Sequence, residues 1–435
     1  MAAAAPAEVA IRMYNVGFGD CFLLTFKYPR GLRHMLVDCG STSAPQRASK
    51  SPHFMERVVE DIQRVCSGKL HVLLATHRHR DHVSGFSTTS RTGKMIASLE
   101  PDHIIQPWTE DPRARTDALT ASAPVYTSGK ADPKRMTAHF LGALEDMHAV
   151  AAAIKHAAGR EGFAGKQTLE RLGFLGEDNI RNPAAVKNLL AMGRKGKAYY
   201  VNAGMVLNIL PGVKCTVLGP PTLEQSDAIR KQRARDPANF WQFRSFWGAQ
   251  SLAMRRQLPR AGRASRAKSA RALDLPKSVR WFVNQARQVH VDQLLSIVRD
   301  LDSVMNNTSV IVLLEAGKRK ILLPGDAQIE NWAYALSKPK WRKLLEDVSL
   351  YKVGHHGSLN ATPKPLWELF KHAGGPGTRN RLATLCSTKS GKHGSKASGT
   401  EVPRHVLVEQ LEEKSQFTSS ETAENAFCSE ITLDC

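Results

Sequence analysis

The chain of 435 residues is 42% hydrophobic and 23% charged, and its 61 Lys+Arg against 40 Asp+Glu give a formal net charge of +21. Such a composition excludes a disordered or fibrous chain, and no apolar run approaches the roughly 18 residues that a membrane-spanning helix needs. A positive excess of this size favours polyanionic partners or substrates and leaves the fold open.

The opening MAAAAPAEVA has neither the basic region nor the long apolar core of a secretory signal, which predicts a cytoplasmic protein. Apolar or β-branched stretches at Val9–Asn15, Phe22–Phe26 and Met35–Val37 read as strands punctuated by glycines. Ser51-Pro52 then opens a helix, with Ser as N-cap and Pro at the first helical position. Phe54, Val58, Val59, Ile62 and Val65 give it an apolar face, and Gly68 closes it. Leu70–Ala75 is a buried strand, and strands alternating with helices imply a layered α/β core. From about Pro112 to Lys197 the pattern is Ala-rich and helical, notably over Met136–Ala158, whose His139, His148 and His156 fit no metal spacing. Strands return at Met205–Leu210 and Lys214–Leu218. A basic segment follows from about Thr222 to Lys277, then an amphipathic helix over Val291–Met305. Ser309–Leu314 and Lys320–Leu323 form a hairpin through Ala316-Gly317, and Val348–Val353, Arg381–Ser387 and Glu430–Leu433 complete the strands. The seven cysteines are scattered with no C-x-x-C pair, which fits reduced thiols better than a disulfide framework or zinc knot.

The decisive segment is Thr76-His77-Arg78-His79-Arg80-Asp81-His82, directly after a buried strand. In an extended loop, residues two apart project the same way, so His77 and His79 can grip one cation together. Asp81 and His82 fall where the chain turns toward Val83-Ser84-Gly85 and can face a second one. Mixed imidazole and carboxylate ligation suits Zn, Mn or Fe and disfavours Ca or a plain Mg site. Asp326 ends a strand in Leu-Leu-Pro-Gly-Asp, where a carboxylate can bridge two metals, which in such sites lie roughly 3.5–4 Å apart. His355 and His356 also follow a strand, and their flanking glycines let the backbone approach closely.

In this order along the chain, the motifs resemble the metallo-β-lactamase-fold hydrolases, and more narrowly the branch containing the hydrolase-like domain of DNA-uptake competence proteins. Four pieces carry the match: Asn15-Val-Gly-Phe-Gly-Asp20 with Leu36-Val-Asp38-Cys-Gly40; THRHRDHVSGF; Asn306-Asn-Thr-Ser309-Val-Ile-Val-Leu-Leu followed by LLPGDA; and Lys352-Val-Gly-His-His-Gly-Ser358. They span roughly residues 9–108, 204–221 and 304–433. The resemblance implies a four-layer αββα sandwich of the α/β (α+β) class. It would form a single domain over 1–435 with a helical insertion at 112–198 and a basic insertion at 222–303 ending in a helix. It also implies two divalent metal ions, Zn or Mn. His77 and His79 would hold one and Asp81 and His82 the other, with Asp326 bridging. One of His355 and His356 would complete the second position; His356 is favoured, with His355 reaching the substrate's oxyanion. Asp20 and Asp38 would support the loops from behind, although Asp38 reads equally well as a turn-forming residue before Gly40. The sequence departs from the branch at Asn15, where Asp is frequent, and at Phe18, where a polar residue is frequent. No histidine between the metal loop and Asp326 stands as the usual further ligand: His103 lies on a strand and His290 precedes a helix without a supporting motif. The membrane channel of competence proteins is absent from the sequence.

From Arg230 to Arg287 the chain holds 15 Lys+Arg against two acids, Asp236 and Asp274. The aromatic run Asn-Phe-Trp-Gln-Phe-Arg-Ser-Phe-Trp at Asn239–Trp247 precedes Arg255, Arg256, Arg260, Arg263, Arg266, Lys268 and Arg271. Cations that neutralise phosphates beside rings that stack on bases describe a nucleic-acid-binding surface. Aromatics packing the insertion onto the core, or an anionic membrane surface, are the other readings. The expected activity is therefore metal-dependent hydrolysis of a phosphate-containing substrate, a phosphodiester and perhaps DNA or RNA, by water activated toward hydroxide. Asp81 or Asp326 would orient the nucleophile, and His355 or Lys352 would stabilise developing charge. The alternatives are hydrolysis of a small ester, lactone or thioester, and a nucleic-acid-binding regulatory module with a vestigial metal site.

Overall fold

In the computed structural model, residues 4–45, 51, 53–111, 182–222, 225–226, 305–392, 401–421 and 427–435 are described. Alternation along the strands decides how they stack. In β1 (Glu8–Tyr14), β2 (Cys21–Tyr28) and β3 (Gly31–Cys39), the residues Val9, Ile11, Met13, Phe22, Leu24, Phe26, Met35 and Val37 point to one side, into a core shared with the second sheet. Their neighbours Leu23 and Leu36 point to the other, against helices. Residues two apart share a face of a strand, so each strand feeds two cores.

The first sheet continues through β4 (Val72–Leu74), β5 (His103–Pro107) and β6 (Lys197–Val201), and the C-terminal strand β14 (Cys428–Asp434) closes its other edge on β1. The second runs β7 (Val206–Leu210), β8 (Val213–Gly219), β9 (Ile311–Ala316), β10 (Arg319–Leu323), β11 (Leu350–Lys352), β12 (Ala383–Cys386) and β13 (Gln416–Ser419). Each is mixed in the same way. Pairings β14-β1-β2-β3 and β7-β8-β9-β10 are antiparallel, whereas β3-β4-β5-β6 and β10-β11-β12-β13 are parallel. Parallel strands deliver their following loops to one end of a sheet, where binding crevices form.

Helices cover both outer faces. Helix α1 (Phe54–Val65) buries Phe54, Val58, Val59 and Ile62 on the first sheet. The metal-loop turn is α2 (Arg80–Val83), followed by α3 (Arg91–Ala97); α4 (Pro183–Lys195) adds Ala185, Leu189 and Met192 to the same layer. On the second sheet lie α5 (Ile329–Leu336), α6 (Pro339–Glu346), α7 (Lys364–Trp367) and α8 (His405–Lys414), contributing Trp332, Leu345, Leu366, Leu407 and Leu411. The layers therefore run helix, sheet, sheet, helix, which is the α+β sandwich expected. Full burial of a side chain the size of Phe22 or Leu24 contributes about 1.5–3 kcal/mol, so the inter-sheet core dominates the stability of the sandwich.

Several details differ from expectation. Helix α1 starts at Phe54 with His53 at the N-cap position and His53 Nδ1 3.0 Å from Glu56 Oε1, rather than at Ser51-Pro52. The edge strand β6 begins at Lys197, where the helical reading ends, and neither it nor β13 is apparent in the sequence. The helix over Met136–Ala158 lies outside the described residues, as does Val291–Met305 apart from Met305. So do His139, His148, His156, His290, the aromatic run, and Arg255, Arg256, Arg260, Arg263, Arg266 and Lys268. Among the described residues, no helix is long and apolar enough to cross a membrane.

Candidate metal centre

The loops that end β3, β4, β10 and β11 meet at one end of the two sheets and bring Asp38, the HxHxDH segment, Asp326 and the His355-His356 pair together. Two glycines allow this approach. A Cβ on Gly40 would lie 2.3 Å from the Asp81 carbonyl carbon, and one on Gly325 only 2.7 Å from Thr76 Cβ; Gly325 also has φ +55°. A side chain at either position would push the β3 loop off the metal loop, or the Asp326 loop off Thr76. Asp20 N donates to Asp81 O at 2.9 Å and Gly40 N to Asp20 O at 3.0 Å, tying the first glycine-rich turn to the same loop.

Asp81, His82, Asp326 and His356, all buried, offer ligand atoms that lie within 4.8 Å of one another. His82 Nε2 is 3.0 Å from Asp326 Oδ2, and His356 Nε2 is 3.1 Å from Asp81 Oδ2. His77 Nε2 faces His79 Nδ1 at 3.1 Å, and the His77 and His82 rings pack with centroids 4.2 Å apart. The outward nitrogens show what these contacts are. His82 Nδ1 donates to Asp38 Oδ2 (2.8 Å) and His356 Nδ1 to the Ser387 carbonyl (3.0 Å). The Thr76 hydroxyl donates to Asp38 Oδ2 (2.7 Å), which leaves its oxygen to accept from His77 Nδ1 at 3.1 Å. With the proton of each neutral imidazole held on the outer nitrogen, three Nε2 lone pairs point inward, toward carboxylate oxygens or another imidazole. Lone pairs converge in this way around a cation. Asp81 Oδ1 is also buried with no hydrogen-bond partner. Imidazole nitrogens with carboxylate oxygens, their far sides fixed by acceptors, are a donor set that could hold a metal ion.

The surrounding carboxylates favour positive charge in the cluster, whether as protons on His82 and His356 or as a cation in their place. Burial disfavours a charged His82, but Asp326, Asp38, Asp81 and Asp20 outweigh it and push its pKa well above the ordinary value. Burial would raise the Asp326 carboxyl, yet His82, His356, His355 and Lys352 hold it well below the usual range. Asp81 is also held low against burial by His82 and His356. Burial, then His82 and His79, drive His77 well down, keeping it neutral with its lone pair available. The carboxylates thus stay ionised and generate a field that attracts positive charge.

No family model matches this chain, and no curated protein matches it.

Asp38 does more than form a turn: it sits at φ +54°, 1% exposed, and accepts from Thr76 N (2.8 Å), Thr76 Oγ1 and His82 Nδ1. A carboxylate with three donors outweighs the cost of a left-handed backbone, about 1–3 kcal/mol. Asp20 lies behind His82 and His356, with Oδ2 3.7 Å from His82 Nδ1 and Oδ1 3.6 Å from His356 Nδ1, and it pairs closely with the Lys352 ammonium. Asp20, Asp38 and His82 form a second group that could hold a cation, and the Lys352 ammonium already pairs with Asp20 there. That placement encloses Lys352 among carboxylates. It is 3% exposed, with Nζ on Asp20, 3.6 Å from Asp326 Oδ1 and donating to Gly325 O at 3.2 Å. A quarter of the His355 side chain is exposed, its backbone N–H donates to Asp326 Oδ1 (3.2 Å), and its Nε2 is 4.0 Å from Asp326 Oδ2. Phe18 packs on the His356 ring at 4.3 Å, so the apolar residue at that position walls the cluster. Thr76 and Ser387 orient imidazoles although their spacing marks neither. His103 lies on β5 beside Tyr199, 3.3 Å from its hydroxyl, and joins no ligand group.

Proposed function

We propose that this protein is a metal-dependent hydrolase of the metallo-β-lactamase fold that cleaves phosphodiester bonds, with DNA or RNA as the favoured substrate class. The observation that supports it best is the convergence of inward-facing imidazole nitrogens and ionised carboxylates from four chain segments. His77 and His79 would hold one divalent cation, Zn or Mn, and Asp81, His82 and His356 a second, with Asp326 shared. Cations there would lower the pKa of a water molecule toward neutrality and neutralise charge on phosphoryl oxygens.

The chain's own residues supply the rest. Asp81 Oδ1 is free to accept a hydrogen bond from the attacking water and to orient it. The water oxygen forms a new bond to phosphorus, the bond to the leaving oxygen breaks, and the proton passes through the carboxylates to that oxygen. His355, exposed beside Asp326, reaches a non-bridging phosphoryl oxygen and stabilises its charge. Phe18 and the buried backs of the histidines keep bulk water from the far side. The net charge of +21 and the cation-rich run over 230–287 favour phosphate over a neutral ester, lactone or thioester.

The test is metal analysis of the purified chain together with turnover of a generic phosphodiester, a lactone and a thioester in Zn and in Mn at several salt concentrations. Phosphodiester turnover, with substrate binding that falls steeply as salt rises, is expected. Turnover of the lactone or thioester alone transfers the reading to small esters. A chain that holds no metal is a binding module with a vestigial site.

A further inference from the structure

Arg78 stands between His77 and His79, and successive side chains of an extended segment point to opposite sides. The two imidazoles face inward; the guanidinium points away, into a buried ion pair. Arg78 Nε donates to Glu110 Oε1 at 2.8 Å and Nη2 to Glu110 Oε2, with only 11% and 6% of the two side chains exposed. Asn182 Nδ2 donates to the Arg78 carbonyl at 2.8 Å. Side chain and backbone of this one residue are therefore both anchored. Glu110 closes the single turn Trp108–Glu110 after β5, where Trp108 Nε1 donates to Pro221 O at 3.2 Å, and Asn182 directly precedes α4. Neither anchor belongs to the ligand cluster.

The two cation positions differ in what supports them. Asp81 and His82 share α2, Asp326 follows β10 and His356 follows β11, and their ligand atoms converge within 4.8 Å. The other position proposed above would have only His77 and His79, from one short loop, with Asp326 shared. A position with few ligands depends most on how well those ligands are held in place. A planar guanidinium gripped by both carboxylate oxygens fixes rotation as well as distance, which a single-point ammonium contact cannot do.

We propose that Glu110 and Asn182 are positioning residues for the His77/His79 cation: by gripping Arg78 on the far side of the loop they keep the two imidazoles facing each other. Loss of the grip weakens that cation selectively. The inference rests on the metal-dependent reading above.

The experiment titrates Mn and, separately, Zn into metal-free full-length protein by calorimetry, with bound metal counted after dialysis. Wild type is expected to take two equivalents, one tighter than the other. Three variants are compared: Asn182→Ala, Arg78→Lys, and the double variant Arg78→Met/Glu110→Met, which strands no buried charge and so keeps the fold. Each is expected to weaken the second equivalent by ~10–100-fold, with the tighter one kept within about threefold. Two equivalents bound as in wild type by the double variant overturn the inference and leave the metal reading standing. Equal weakening of both equivalents also overturns it, showing a general structural role. Wild type that binds no metal removes the metal reading and this inference together.

Discussion

His82 Nδ1 lies 2.8 Å from Asp38 Oδ2, the same oxygen that accepts the Thr76 hydroxyl at 2.7 Å. One carboxylate at the end of β3 therefore sets both the tautomer of a candidate ligand and the start of the loop that carries it. Asp38→Asn keeps the shape but replaces one acceptor oxygen with an N–H donor, which must face donors already present. Metal affinity is expected to fall ~10–100-fold. Stability should drop by about 1–3 kcal/mol from the unsatisfied donor. Calorimetric metal titration and urea unfolding read the two effects; wild-type affinity in Asp38→Asn would remove the orienting role.

Asp20, Asp38, Asp81 and Asp326 are all buried, while Lys352 is the one lysine that pairs with any of them among the described residues. Like charges held together without water repel, so a cation bound among them would stabilise the fold. Adding Zn or Mn to metal-free protein at 100 times its Kd is expected to raise unfolding stability by about 2.7 kcal/mol, and chelator should reverse it. Thermal melts in chelator and in metal check this. A melting temperature indifferent to both counts against any cation in the cage.

His355 and Lys352 are close in sequence and placed for opposite work. His355 is partly exposed beside Asp326, so His355→Ala should reduce kcat by about 10²–10³ with metal content and melting temperature unchanged. Lys352 is enclosed with Asp20, and Lys352→Met strands that carboxylate. It should destabilise the chain by about 3–5 kcal/mol. Paired measurement of kcat, bound metal and unfolding stability separates the roles. A stable Lys352→Met protein with kcat alone reduced would return the lysine to the substrate side.

The centre was legible because its residues lie in short motifs placed directly after strands: His77, His79, Asp81 and His82 in six positions, Asp326 after β10, His355 and His356 after β11. Backbone spacing alone brings such residues to one edge of parallel strands. What the sequence concealed depends on contacts between distant segments. Glu110 carries no local sign of its pairing with Arg78, 32 residues away. Whether Asp38 makes a turn or holds an imidazole is decided by His82, 44 residues on. Strand β13, QFTS, is short and half polar, and it becomes a strand through its pairing with β12. Likewise β6 is specified by the edge of β5 rather than by its own alternation.

The acid limb of stability has a source away from the centre. His34, 3% exposed on β3, has its N–H on His71 Nδ1 (3.1 Å) and its own Nδ1 3.1 Å from Thr25 Oγ1. Burial, then His71 and Arg33, push its pKa down to about 4. The unfolded chain binds a proton there near pH 6.5, so between about 6.5 and 4 the unfolded state carries more protons and stability falls as pH falls. Above about 6.5 both states are neutral and the ring contributes no slope; below about 4 the loss is complete. Linkage sets a ceiling near 3 kcal/mol, and screening by the nearby surface brings the expected loss to about 1–2 kcal/mol. His34→Gln removes the titrating group, so its stability should decline less than that of wild type between pH 7 and pH 4.5. Urea unfolding of both proteins in chelator across that range measures the difference, and parallel curves would assign the acid limb to other groups.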